Sequence, residues 1–230
     1  MKTNNIRLCR LFVAMAMLVM GLGNVGTAVT VTLGDQDFVD GSFIGGVDVF
    51  NAASIGEPAP FDEVRGSDYS DPFSGSWTFN YPALSVTSAT LTLGIVDHDS
   101  NAPGSQISSF TVDSIDITSV LDDQFESRGG GPAEYNVYVI ILPASTLSAL
   151  SDGVATFSLT LQGPALGYGG GIATGNAAGL DFATLTVVPE PASAFLMVFG
   201  TAIFITRHRK QQVTESSCGL RRVNPSLRRY

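Results

Sequence analysis

Apolar and hydroxylated side chains alternate along most of the middle of this chain. Ala89, Leu91, Leu93 and Ile95 alternate with Thr90, Thr92 and Gly94, which predicts a strand with one face buried and one in water. Ala155, Phe157, Leu159 and Leu161 alternate with Thr156, Ser158 and Thr160, and Ala183, Leu185 and Val187 with Thr184 and Thr186. Tyr135, Val137, Val139 and Ile141 form a fourth inward set, although Ile140 and Leu142 make that strand apolar on both sides. Phe110 and Val112 are in one phase and Ile115 and Ile117 in the other, so Asp113-Ser114 marks a bulge or a corner. Further strands are expected at Val29–Leu33 and Ser76–Tyr81, and the only helical hint is Ala144–Leu150. Threonine on the outer faces suits a solvated pleat. Seven or so short strands separated by Gly, Asp, Asn and Pro predict an all-β fold, a two-sheet sandwich of jelly-roll type. Residues 41–72 are expected to form a long decorated loop, and the Gly- and Ala-rich stretch 163–179 has little to order it.

The two ends follow a different pattern. Met1–Arg10 carries Lys2, Arg7 and Arg10 without an acid, and an apolar run follows from Leu11 to Leu22, broken only by Gly21. Gly26-Thr27-Ala28 then supplies small residues at the spacing of a cleavage site, so residues 1–28 read as a signal peptide cut after Ala28. A retained N-terminal membrane helix is the alternative, and either one exports the middle of the chain through Sec-type machinery. At the other end, Ala192–Thr206 is 15 residues without a charge, and Arg207-His208-Arg209-Lys210 follows directly. As a helix at roughly 1.5 Å per residue it reaches about 22 Å, short of a ~30 Å hydrocarbon core. Pro189, Glu190 and Pro191 prevent its extension backwards. Such a helix must thin the bilayer or snorkel Arg207 and Lys210, and it suits a transient anchor with its basic end in the cytoplasm.

Val188-Pro189-Glu190-Pro191, the apolar segment and the basic stop Arg207, Arg209 and Lys210 together resemble the PEP-CTERM sorting signal of Gram-negative surface proteins. The resemblance implies an exosortase-like processing enzyme and a route through the inner membrane to the cell surface or extracellular matrix, alongside exopolysaccharide. Signals of this kind end soon after the basic cluster. Here 211–230 continues with Arg221-Arg222, Arg228-Arg229 and Cys218, and reads as a basic cytoplasmic tail. The run Ser88–Leu93, then Asp97 and Asp99, Leu150–Gly153 and Asp181–Val187 is diffusely similar to exported domains that carry this signal. The domains expected are therefore 1–28, an exported sandwich at 29–188, the sorting signal with its transmembrane helix at 189–210, and the tail.

Charge sharpens this division. Residues 29–188 hold 19 acidic side chains against two basic ones, Arg65 and Arg128, so that interval carries −17 while the whole chain carries −9. It contains neither lysine nor cysteine. The lack of clustered cations makes nucleic acid and anionic membrane surfaces poor partners, and the lack of cysteine excludes a disulfide framework. Cations, neutral glycans and the external matrix remain.

Candidate chemistry is thin. His98 is the only histidine of the interval, and no nucleophile elbow or phosphate-cradling loop occurs, so neither a triad nor a histidine zinc site has its parts. Asp122, Asp123 and Glu126 supply a carboxylate pair of the kind a glycosidase needs, or a solvated loop. Asp97-His98-Asp99-Ser100-Asn101 offers alternating oxygens for calcium, to which Asp181 or an N-terminal acid could be recruited. It is not an EF-hand, because Ala102 and Ser108 stand where glycine and glutamate are needed. Asp and Asn capping a turn is the simpler account. Trp77, beside Tyr69, Phe73 and Tyr81, is either a core residue or a platform for a sugar ring. The expected function is a non-catalytic surface or matrix protein with no cofactor beyond this candidate calcium; the alternative is a carbohydrate-binding module or glycan-active enzyme with the same address.

Overall fold

The alternating segments pair into two antiparallel sheets. In the computed structural model, which describes residues 26–53, 57–167 and 171–191, the strands are β1 (Val29–Gly34), β2 (Glu63–Arg65), β3 (Ser74–Asn80), β4 (Val86–Val96), β5 (Ile107–Val112), β6 (Ile115–Asp116), β7 (Tyr135–Ile141), β8 (Val154–Leu161), β9 (Ala165–Leu166), β10 (Ile172–Ala173) and β11 (Ala178–Pro189). One sheet runs β1-β11-β4-β7, with β2 at the far end of β11; the other runs β3-β8-β5-β6, and β9 and β10 pair separately. Helix α1 (Val47–Ala53) lies between β1 and β2 of the first sheet, and α2 (Thr118–Arg128) leads from β6 in one sheet to β7 in the other.

The inner faces carry the residues that alternation singles out. Leu91, Leu93, Ile95, Phe157, Leu159, Leu161 and Leu185 are buried, and one apolar core joins the two sheets. Phe157 is its aromatic centre, with the rings of Trp77, Phe79 and Phe110 between 5.8 and 6.0 Å away. On the outer faces, hydroxyls bridge neighbouring strands, with Thr30 and Thr186 at 3.1 Å, Thr32 and Thr184 at 2.9 Å, and Thr78 and Thr156 at 3.0 Å.

Several expectations change. In β7 the inward set is Tyr138 and Ile140, continued by Leu142, while Val139 and Ile141 face outward at 56% and 74% exposure. A strand apolar on both faces has no phase to read, and pairing with β4 decides it: Val139 lies opposite Thr92 and Ile141 opposite Thr90, both on the outer face. Asp113-Ser114 is the corner of a tight hairpin, both residues having positive φ and Val112 pairing with Ile115. Helix α2 has no forewarning in the pattern. Leu121 and Phe125, one turn apart, are its only buried side chains, and just before it Asp116 accepts hydrogen bonds from the Thr118 amide (2.9 Å) and hydroxyl (2.6 Å).

Neither expected loop is featureless. Residues 41–72 contain α1 and β2, and 163–179 contains the β9–β10 hairpin, with Ala165, Ala173, Ala177 and Ala178 buried. Small side chains let that segment pack closely. The first of these segments also builds a second small core, in which Ile44 and Phe50 meet Val96, Tyr135 and Phe182. Residues 1–25 of the expected signal peptide (1–28), the apolar segment 192–206, the expected basic stop Arg207, Arg209 and Lys210, and residues 211–230 lie outside the described residues. No helix among the described residues is long and apolar enough to cross a membrane.

Candidate cation site

The second core draws acids together where three strand ends meet. Pairing of β11 with β4 slips between Leu180, opposite Ile95, and Phe182, opposite Gly94. Asp181 is the extra residue of this bulge, which turns Leu180 into the main core and Phe182 into the small one. Gly94 makes room for the aromatics: a Cβ there would lie 2.4 Å from the Tyr135 hydroxyl and 2.7 Å from the Phe182 ring. Where β1 ends, Gly34 has φ +72° and passes so close to Asp181 that a Cβ would fall 2.3 Å from its carbonyl oxygen. Asp35 and Asp37 follow directly. From the other side, the Asp62 amide donates to the Leu180 carbonyl at 2.6 Å just before β2 begins.

The result is a knot of carboxylates. Oxygens of Asp37, Asp62 and Asp181 lie within 4.8 Å of one another, and so do those of Asp35, Glu57 and Asp62. Asp181 Oδ2 accepts from the Tyr135 hydroxyl at 2.6 Å and from the Asp37 amide at 3.3 Å. Burial, followed by the charges of Glu57, Asp181, Asp37 and Asp35, pushes the Asp62 carboxyl up to about 7. Burial raises Asp181 to about 6, against the lowering effect of its two hydrogen bonds.

The four residues expected to hold calcium do not meet. Asp181 belongs to this knot, while Asp97, Asp99 and Asn101 shape the turn after β4. Asp97 Oδ1 accepts from the Ala133 amide at 2.6 Å and Asp99 Oδ2 from the Leu166 amide at 2.9 Å. Both aspartates have positive φ, which Asp tolerates better than most residues. The Asn101 amide donates to the Gly130 carbonyl at 3.0 Å. Local turn capping does not describe them either: both carboxylates hold amides remote in sequence, and Asn101 engages through its backbone N–H. Burial and the nearby Asp97 charge push the Asp99 carboxyl up to about 8.

His98 is fully buried, its ring stacked on Phe125 at 4.3 Å. Nε2 lies 3.0 Å from Asn136 Oδ1 and 2.9 Å from the Tyr138 hydroxyl. Burial brings its pKa down to about 4, so it is neutral and structural. Trp77 corrects the sugar-platform expectation. At 4% exposure it sits between Phe61 and Phe157 and presents no face to a ligand. A cleft of about 320 Å³ that Trp77 does not line is bounded by Phe43, Ile44, Val47 and Leu166 with Asp68 and Asp97. Asp122, Asp123 and Glu126 lie on α2, not in a loop.

Asp35, Asp37, Glu57 and Asp62 are the acids not named individually from sequence. Gly34-Asp35-Gln36-Asp37 has the same alternating oxygens after a strand as Asp97–Asn101, so a signal was there; the approach of Asp62 to Asp181 had none. At the termini of the fold, Ala28 is exposed directly before β1. Pro189 ends β11, and the Glu190 amide donates to the Ser85 carbonyl at 2.9 Å. No protein-family model matches the chain, and neither a curated protein nor a solved structure matches it.

Proposed function

We propose that this chain is an exported, non-catalytic protein of the cell surface or extracellular matrix. On this reading it is held by its C-terminal helix in transit and processed at Pro189-Glu190-Pro191 by an exosortase-like enzyme. The exported module is a jelly roll. Apart from the β5–β6 hairpin and the short β2, successive strands of the two main sheets cross from one to the other, and the orders β1-β11-β4-β7 and β3-β8-β5-β6 are what two interleaved Greek keys produce. One junction carries the reading: the last strand runs to Pro189, the first residue of the sorting motif, so the folded module hands over directly to the apolar segment and its basic stop. A neutral, buried His98 and an interval of charge −17 fit a displayed surface better than a reaction centre or a nucleic-acid partner.

Fractionation of the native host tests this. The wild type is expected in the surface or matrix fraction, and Glu190→Ala is expected to accumulate in the membrane at a higher mass. Wild type found in the cytosol at full length sinks the proposal.

The cleft favours one second reading, a carbohydrate-binding module with the same address. Phe43 is 72% exposed at its rim, beside two carboxylates able to accept hydrogen bonds from sugar hydroxyls. Glycan binding abolished by Phe43→Ala would support it, and a blank glycan array would remove it.

A further inference from the structure

We propose that the carboxylates of Asp37, Asp62 and Asp181, with Asp35 and Glu57 beside them, bind a calcium ion that ties the end of β1 and the start of β2 to the bulge of β11.

The spacing fits that ion. Calcium holds oxygens at about 2.4 Å, so ligands on opposite sides of its shell are at most about 4.8 Å apart. The oxygens of Asp37, Asp62 and Asp181 are all within 4.8 Å of one another, and Asp62 is shared with the Asp35–Glu57 group. Five carboxylates supply hard oxygens without a nitrogen or sulfur ligand, which disfavours zinc and copper. Magnesium demands a tighter octahedron and keeps its water, so it fits this crowded set less well.

The side chains themselves point to a missing counter-charge. Asp62 is only 8% exposed, and neither of its carboxylate oxygens has a hydrogen-bond partner. Asp181 is fully buried, and its Oδ1 is likewise without one. Buried carboxylates in this condition need either a cation or a proton. The interval's two basic side chains are engaged elsewhere, Arg65 with Glu63 at 2.9 Å and Arg128 with Asp40 at 2.6 Å. The backbone is already committed to the arrangement through the Asp181 bulge, the close pass of Gly34 and the bond from the Asp62 amide to Leu180.

The site is independent of the sorting signal, so it stands or falls separately from the proposed address. The test uses the full chain, stripped with chelator and titrated with calcium or with terbium as a luminescent substitute. Tyr135, whose hydroxyl is 2.6 Å from Asp181 Oδ2, is placed to sensitise bound terbium. Calcium about 100-fold above its Kd is expected to raise the melting temperature by about 5–10 °C. Asp62→Asn and Asp181→Asn should each abolish the shift and the calcium-displaceable luminescence. Asp123→Asn, an exposed acid on α2, should leave both intact. Asp62→Asn also removes a buried unpaired charge, so it should melt above the wild type in chelator, which shows that the variant folds. The proposal is overturned if calcium has no effect on the wild type, since the carboxylates then hold protons. It is equally overturned if the Asp62 and Asp181 variants respond like wild type, or if Asp97→Asn alone abolishes binding.

Discussion

Trp77 shows how far burial decides what a side chain does. Its ring stacks on Phe157 at 5.9 Å and meets Phe61 edge-on at 6.0 Å, so Trp77→Ala should cost about 3–5 kcal/mol in chemical denaturation. Its indole N–H is buried without a partner, so Trp77→Phe removes an unsatisfied donor and should cost less than half as much. Asp99 and His98 pull stability in opposite directions with pH. His98 is held neutral down to about 4, below its usual 6.5, so the unfolded chain takes up a proton first and stability is lost as pH falls from 6.5 towards 4. Asp99, buried and facing Asp97 and Asp68, keeps its proton up to about 8, while the unfolded chain loses it near 3.8. The native state is then the one that binds the extra proton, and stability falls as pH rises through that window. Above pH 6.5 only the Asp99 contribution of this pair remains. Stability measured at pH 6.5 and 8 should therefore drop more steeply for the wild type than for Asp99→Asn; equal slopes would contradict the assignment.

Among the elements, β7 is the sharpest test of register. Ile140 is buried and Ile141 is 74% exposed, though both are isoleucine in one apolar run. Ile140→Thr should cost about 2–3 kcal/mol by losing buried methyl groups and burying a hydroxyl. Ile141→Thr should stay within about 0.5 kcal/mol. The reverse order would restore the phase that alternation implies. That strand also explains which parts of the fold were legible beforehand. Along Thr90–Thr92 of β4, Thr156–Thr160 of β8 and Thr184–Thr186 of β11, alternating hydroxyls report the solvent face, so the inward residues there were readable from the chain alone. In β7 that report is missing, and its phase comes from β4, which is remote in sequence. Helix α2 was hidden for a related reason: its two buried side chains, Leu121 and Phe125, stand among polar residues and cover an edge reached by both β5 and β7. The carboxylate knot was half visible. Asp181 and an N-terminal acid were natural candidates, but a bulge, a positive φ at Gly34 and a contact from Asp62 to Leu180 decide their meeting, and none of these has a local signature.

Over the whole molecule, the charge distribution agrees with the proposed delivery. Ten of the twelve basic residues lie outside 29–188, leaving the sandwich strongly acidic and free of lysine. A surface of one sign keeps such a module soluble and apart from anionic membranes. Outside a cell, calcium is plentiful enough to fill a site of even modest affinity, since extracellular modules work at Kd of about 10⁻⁴–10⁻³ M. The proposed ion would clasp β11 at the end opposite Pro189, so the strand leading into the proposed sorting motif would be held at its far end by the metal and near Pro189 by pairing with β4. The most direct test is the intact mass of the protein recovered from its native host. A polypeptide beginning at Val29 and ending near Pro189-Glu190-Pro191, with or without an added group at the new C-terminus, is the predicted result. An untrimmed chain from Met1 to Tyr230, recovered from the cytosol, would contradict it.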